Sequence, residues 1–371
     1  MEENRNDKAR LLDTPEDFRR LGVNPDKVEI WEDGRRNPET DAGNWEWWYF
    51  DSILDDGTKV VIQFFTKAGM RNIAKNGDVP SVTIKITEPD GKVYSRDLKV
   101  RARNCRFGAD RCDVHIGPHS FVGDFTKYHI HVDTVRGLGA DLELISKAKP
   151  YRPGTAYFGF GDDEYYTWLC SVPRGEVSGA LTIGGKKKGV QGTGYHDHQW
   201  GNRFYLPEWN NWLWARQSFK DYSILIFDFI TSDTYGFKRF PILFVQDGSG
   251  NLVFENRQSV HCDVDQYYTE SVASGKEYPD RIRYSCESSV KKLEYFIGRK
   301  EVLEARGFRK APWFFRQIVG KQGLSDMSYA RFYGTGRMKL MIGEENVDRS
   351  GNLIYEFMFP GKSCKGLMES R

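Results

Sequence analysis

The 371-residue chain carries 54 basic and 52 acidic side chains, a formal net charge of +2, with 39% hydrophobic and 14% aromatic residues. Near-neutrality argues against nucleic-acid binding as the main task, and the apolar and aromatic content excludes disorder. At about 150 residues per domain the length implies roughly two domains. No apolar run approaches the ~18 residues of a membrane span, and residues 1–8 hold no apolar signal-peptide core, so a cytoplasmic location is expected. Six scattered cysteines read as reduced thiols.

Taken in chain order, the first element is a short helix: Thr14 as N-cap, Pro15 at the first helical position, an acid at Asp17, and Gly22 as the stop. Residues 1–30 read as an N-terminal appendage. From Trp45 to about Lys300, apolar, β-branched and aromatic stretches alternate with turn residues about every ten positions, the pattern of an all-β protein. Leu54-Asp55-Asp56-Gly57, Glu88-Pro89-Asp90-Gly91, Gly184-Gly185, Phe219-Lys220-Asp221 and Asp247-Gly248-Ser249-Gly250 are the hairpin turns. About sixteen to eighteen strands suit two β-barrels or sandwiches better than one. The boundary falls near 190–205, giving domains over 31–195 and 196–371. Pro312 starts a second helix that Gly320 stops. With Trp313, Phe314, Phe315, Ile318 and Val319 amid Arg309, Lys310, Arg316 and Lys321, it suits either a domain groove or peripheral membrane contact.

Two stretches stand out chemically. In Trp45-Glu46-Trp47-Trp48-Tyr49-Phe50-Asp51, strand alternation places Glu46 with Trp48 and Phe50. There it is either a desolvated acid or the partner of an arginine. In Tyr195-His196-Asp197-His198-Gln199-Trp200 the histidines and Trp200 share one face, leaving Asp197 pointing away from them. His129 and His131 have the same spacing, so four histidines would form a metal site if the strands adjoined. Cys105, Cys112, His115 and His119 also resemble zinc ligands, but the cysteines are spaced too widely. No metal is expected at either place. Downstream, Trp212-Leu213-Trp214-Ala215-Arg216 turns into Tyr222–Ile230, where Asp228 interrupts an apolar strand. It is either paired with Arg216 or a proton donor in a hydrophobic pocket.

These segments together resemble the carotenoid 1,2-hydratase (hydroxyneurosporene synthase) and AttH-like family of lipocalin-like proteins. Glu46–Asp51, Tyr166-Thr167-Trp168, Gly179–Ile183, Tyr195–Asn202, Trp212–Ala215, Tyr329–Phe332 and Tyr355–Met358 carry the likeness, in order, over roughly residues 30–360. The resemblance implies two lipocalin-like β domains side by side, holding a hydrophobic ligand. It also implies a functional spread from terpenoid and phytoalexin hydratases to fungal Diels–Alderases. In the hydratase branch a His-x-Trp pair, here His198 and Trp200, is linked with catalysis, together with a Tyr-x-Asp pair on a later strand. Asp228 matches that acid if one residue is inserted. The tyrosine position is then Ile226, which departs from the pattern and leaves Tyr222 as a substitute.

The expected function is hydration of an isoprenoid or polyene. Asp228 protonates carbon, Trp200 stabilises the cation and His198 steers water, without metal or organic cofactor. Glu46, Trp48, Tyr166, Trp168, Tyr195, Trp212, Trp214 and Tyr222 would line the substrate. The alternatives are a pericyclase or cyclase acting by preorganisation, and a lipid or pigment carrier.

Overall fold

A computed structural model describes residues 9–37, 43–67, 79–288, 290–307 and 326–360. The expected helix over 312–319, and the membrane contact tied to it, lie outside these residues. Among them no helix is long and apolar enough to cross a membrane.

The turn residues act where the sequence places them. Gly184 and Gly185 take φ of 58° and 80°, the left-handed pair that a two-residue hairpin between Glu164–Ile183 and Lys186–Gly201 requires. Asp247 folds the Arg239–Asp247 hairpin by accepting from the Ser249 and Asn251 N–H groups, each at 2.9 Å. The helix is Pro15–Leu21. Thr14 Oγ accepts from the Asp17 N–H at 3.2 Å, Asp17 accepts back from Thr14, and Gly22 ends the helix at φ 67°.

The strands form two antiparallel sheets. The first runs from Val93–Lys99 through Ser81–Thr87, Lys59–Phe65, Trp45–Leu54, Lys186–Gly201, Glu164–Ile183, Leu138–Ser146, Lys127–Val135, His119–Gly123 and Asp113–Ile116 to Cys105–Phe107. The second runs from Leu252–Asn256 through Arg239–Asp247, Tyr222–Thr231, Trp209–Ser218, Glu345–Phe359, Ser328–Ile342, Lys291–Gly307 and Glu277–Glu287 to His261–Thr269. Several strands are only three to five residues long, so the sequence-based count falls short.

Each sheet encloses its own apolar core. Val82, Ile84 and Ile86 alternate inward on one strand of the first and meet Phe121, Ile130 and Leu142. In the second, Leu213, Ala215, Ile224 and Ile226 meet Tyr284, Tyr295 and Phe357. Three strands of the first sheet depart from in/out alternation. Trp45–Leu54, the first half of Glu164–Ile183 and the second half of Lys186–Gly201 are buried on both faces. These carry most of the motif residues.

The chain divides between Phe204 and Tyr205. The expected boundary at 195/196 would cut the continuous strand Lys186–Gly201, which belongs wholly to the first unit. Nor is 1–30 an appendage over its described part. Leu12 N–H donates to the Tyr157 carbonyl at 2.8 Å, and the Arg152 guanidinium binds the Lys27 carbonyl at 3.0 Å. Both contacts tie residues 10–30 into that unit.

Candidate active site

Register sorts the expected residues. Lys186–Gly201 lies between Trp45–Leu54 and Glu164–Ile183, pairing His196 with Phe50, His198 with Trp48 and Trp200 with Glu46. Directly opposed residues share a face, so these six point into the first core. The intervening pairs, Tyr195 with Asp51, Asp197 with Tyr49 and Gln199 with both Trp47 and Trp168, occupy the other face. Glu46, Trp48, His198 and Trp200 are therefore brought together, as are Tyr166, Trp168 and Tyr195. Trp212, Trp214, Tyr222 and Asp228 belong to the second unit.

The inner group is dry and closed. His198 is fully buried, with Nε2 2.7 Å from Glu46 Oε1 and Nδ1 3.2 Å from the Glu32 carbonyl. Its ring lies between two indoles, Trp48 and Trp200, each with centroids 4.6 Å away. His198 thus has both nitrogens hydrogen-bonded and two indoles packed against its ring, an arrangement that fixes its position on the strand. Glu46 is bound by the backbone N–H groups of Arg36 at 2.8 Å and Asn37 at 3.2 Å, not by an arginine side chain. The 3-10 turn Ile30–Asp33 supplies the rest. Asp33 accepts from Tyr128 OH at 2.6 Å and Ser171 Oγ at 2.7 Å, and its Oδ2 is 3.2 Å from His196 Nε2. Burial raises the Asp33 carboxyl, but the charge and hydrogen bond of His196, with His198 and Tyr128, hold it below its ordinary value. Glu32 pairs with Arg152 at 2.8 Å, yet burial outweighs that pairing and raises it.

Among the described residues neither candidate metal set comes together. His129 and His131 lie on Lys127–Val135, separated from Lys186–Gly201 by two intervening strands, and face Asp141 on the outside while His196 and His198 are fully buried. His119 Nδ1 accepts from the Asp133 N–H at 3.0 Å, and His115 is paired with Asp113. Cys112 instead approaches Asp33 and His196, with the three potential ligand atoms within 4.8 Å of one another. Each of the three has its own hydrogen-bond partners in the core. The Cys112 thiol donates to the Phe121 carbonyl at 3.3 Å and burial drives it well up, while Asp33 and His196 bond each other.

The opposite face holds a different carboxyl. Asp197 is 3% exposed and accepts from Tyr195 OH at 2.8 Å, Gln199 Nε2 at 3.0 Å and Trp168 Nε1 at 3.2 Å. None of the three donors is charged. Desolvation outweighs them, together with the field of His196, and pushes the carboxyl up to about 7. Tyr166 OH bonds the Gln199 side-chain oxygen, so Tyr166, Trp168 and Tyr195 all join this network. Trp45 stacks on Trp47 at 4.4 Å and meets Tyr166 at 5.6 Å, extending an aromatic wall.

Asp228 is a correction. Arg216 opposes Leu225, on the other face of the sheet from Asp228, which opposes Leu213. The partner is Arg239 on the next strand, at the diagonal position. Its Nε and Nη2 reach the two carboxylate oxygens at 2.9 and 2.8 Å, and Tyr284 OH donates at 3.1 Å. Asp228 is thus fully buried as an ion pair rather than poised as a lone acid. Tyr222 does not supply its phenol either, since its OH reaches Glu345 at 3.3 Å. Trp212 and Trp214 oppose Phe229 and Phe227, facing away from the second core.

Sequence reasoning left out Asp33, Tyr128, Ser171, Arg152 and, above all, Asp197 as an acid. A usable signal was present. Tyr49-Phe50-Asp51 and Tyr195-His196-Asp197 are both Tyr-x-Asp, a spacing that puts phenol and carboxyl on one strand face.

A family model described as AttH-like matches residues 32–297. A comparison with curated proteins finds no match. Among solved structures, an AttH protein of Nitrosomonas europaea aligns with a TM-score of 0.60 and 16% identity, covering 92% of this chain and 99% of that one. CghA, solved with Sch210972, aligns at 0.59 and 14%, covering 91% and 98%. Kievitone hydratase from Nectria haematococca aligns at 0.54 and 12%, covering 91% and 94%. The fold is therefore all-β and lipocalin-like, and the chain belongs to the AttH-like family.

Proposed function

We propose that the protein is a hydratase or cyclase acting on an unsaturated hydrophobic small molecule, with Asp197 as the acid that protonates a carbon–carbon double bond. The observation that carries this reading is a carboxyl 3% exposed whose hydrogen bonds, among the described residues, come from three uncharged donors, so that burial pushes it up to about 7. Protonating an alkene calls for a dry acid that still holds its proton near neutral pH. Asp197 meets both conditions, whereas both oxygens of Asp228 are taken up by the Arg239 guanidinium. The rings of Trp168, Tyr195 and Tyr166 supply π faces for the cation that forms. His198, Trp200, Glu46 and Trp48 act from the other face by fixing the strand that carries Asp197. An isoprenoid is the substrate class this chemistry favours, because protonating a trisubstituted double bond gives a tertiary cation. The similarity to kievitone hydratase agrees with this reading, although it extends only to fold.

A second reading, cyclisation by preorganisation alone, is favoured by the Trp45, Trp47 and Tyr166 wall, which could fold a flexible polyene without proton transfer. Asp197→Asn separates the two. With geraniol and geranylgeraniol as probes and products weighed by mass spectrometry, the acid mechanism expects a gain of one water or a cyclised isomer, and a 10²–10⁴-fold loss of turnover in the variant. Full turnover in a folded Asp197→Asn protein removes the acid role and leaves preorganisation.

A further inference from the structure

Water addition needs a proton acceptor as well as a donor, and the register places a second carboxyl beside the first. We infer that Asp51 is the base that takes the proton from the attacking water, an assignment that rests on Asp197 being the acid. Asp51 opposes Tyr195, and Asp197 lies two residues further along that strand, so the two aspartates are diagonal neighbours on one face. That relation separates their backbones by about 7–8 Å. Two carboxyls on one face can divide the work of acid and base, as in two-carboxyl sites that add water across a reacting carbon. Both carboxyls carry a phenol from their own strand. Tyr49 OH donates to Asp51 Oδ2 at 3.2 Å and Tyr195 OH to Asp197 Oδ2 at 2.8 Å, with the two rings edge-on at 6.1 Å. Asp51 is 1% exposed, so both carboxyls of the pair lie in a water-poor position.

The step balances. The Asp197 carboxyl gives its proton to one alkene carbon, and the π pair becomes the new C–H bond. The cation at the other carbon accepts a lone pair from water, forming C–O, and the oxonium proton passes to the Asp51 carboxylate. Return of that proton from Asp51 to Asp197 through water closes the cycle with no other reactant.

The two roles separate isotopically. With geraniol in D2O containing ¹⁸O-labelled water, the wild type is expected to put deuterium on carbon and ¹⁸O into the product. Asp197→Asn loses both. Asp51→Asn keeps deuterium exchange into recovered alkene, because the Asp197 carboxylate can take a proton back from the adjacent carbon, but loses ¹⁸O incorporation by at least about 10²-fold. An Asp51→Asn protein that incorporates ¹⁸O within a few-fold of wild type overturns the base assignment. So does one that is folded by circular dichroism yet loses deuterium exchange as well. A wild-type protein that exchanges no deuterium, by contrast, fails the acid reading of Asp197 itself.

Discussion

Two aspartates sit in mid-strand, fully or almost fully buried, in the two units of this chain. Asp228 accepts from a guanidinium and a phenol, Asp197 from an indole, an amide and a phenol. The difference is one unit of positive charge, and it separates a structural ion pair from a carboxyl held at about 7. Dryness alone therefore does not make an acid. At Asp197 the hydrogen bonds are satisfied by uncharged donors, and burial raises the carboxyl.

The comparison breaks most visibly at Asp228. Replacing it with leucine strands Arg239 in the second core and is expected to cost about 3–5 kcal/mol of stability, read by urea denaturation. Arg239→Met added to Asp228→Leu should recover most of that loss. A single variant as stable as wild type would show that the pair contributes little.

Asp197 should behave oppositely. Its folded-state value of about 7 stands above the ordinary 3.8, so between roughly pH 4 and 7 the folded chain binds the additional proton. Stability attributable to this group is then present at the acidic end and falls as pH rises through that window, by about 4 kcal/mol in all. Asp197→Asn should flatten this slope and be more stable than wild type at pH 8. Denaturation curves at pH 5 and pH 8 test it, and parallel behaviour of the two proteins would contradict it.

Another buried aspartate, Asp17, sharpens the contrast at small scale. The Arg10 guanidinium at 2.6 Å holds it well below the usual carboxylate range, with Thr14 completing the cap. Thr14→Ala should cost only about 1 kcal/mol and leave the pH dependence from Asp197 unchanged.

Much of the fold was legible because turns and alternation are local. Gly184-Gly185, Asp247 and the Thr14 cap act through their nearest neighbours, and period-2 burial of Val82, Ile84 and Ile86 needs no knowledge of a partner strand. The motif strand was also legible in outline, with His198 and Trp200 on one face and Asp197 on the other. What each face meets was not. Arg239 lies eleven residues from Asp228 and pairs diagonally, so the choice between it and Arg216 depends on hairpin register, which the sequence leaves open. Asp33 reaches His196 across 163 positions of chain. No spacing rule spans that distance. The proposed acid met the same obstacle: a carboxyl among apolar residues was sought, whereas Asp197 has polar neighbours in sequence and is buried only because both faces of its strand are covered.

The most direct test needs no substrate. In protein carrying ¹³C-labelled aspartate carboxyls, the resonance missing from Asp197→Asn identifies this group, and its shift can be followed against pH. The account predicts a midpoint near 7. A midpoint near 4, the value of an ordinary solvated aspartate, would contradict it.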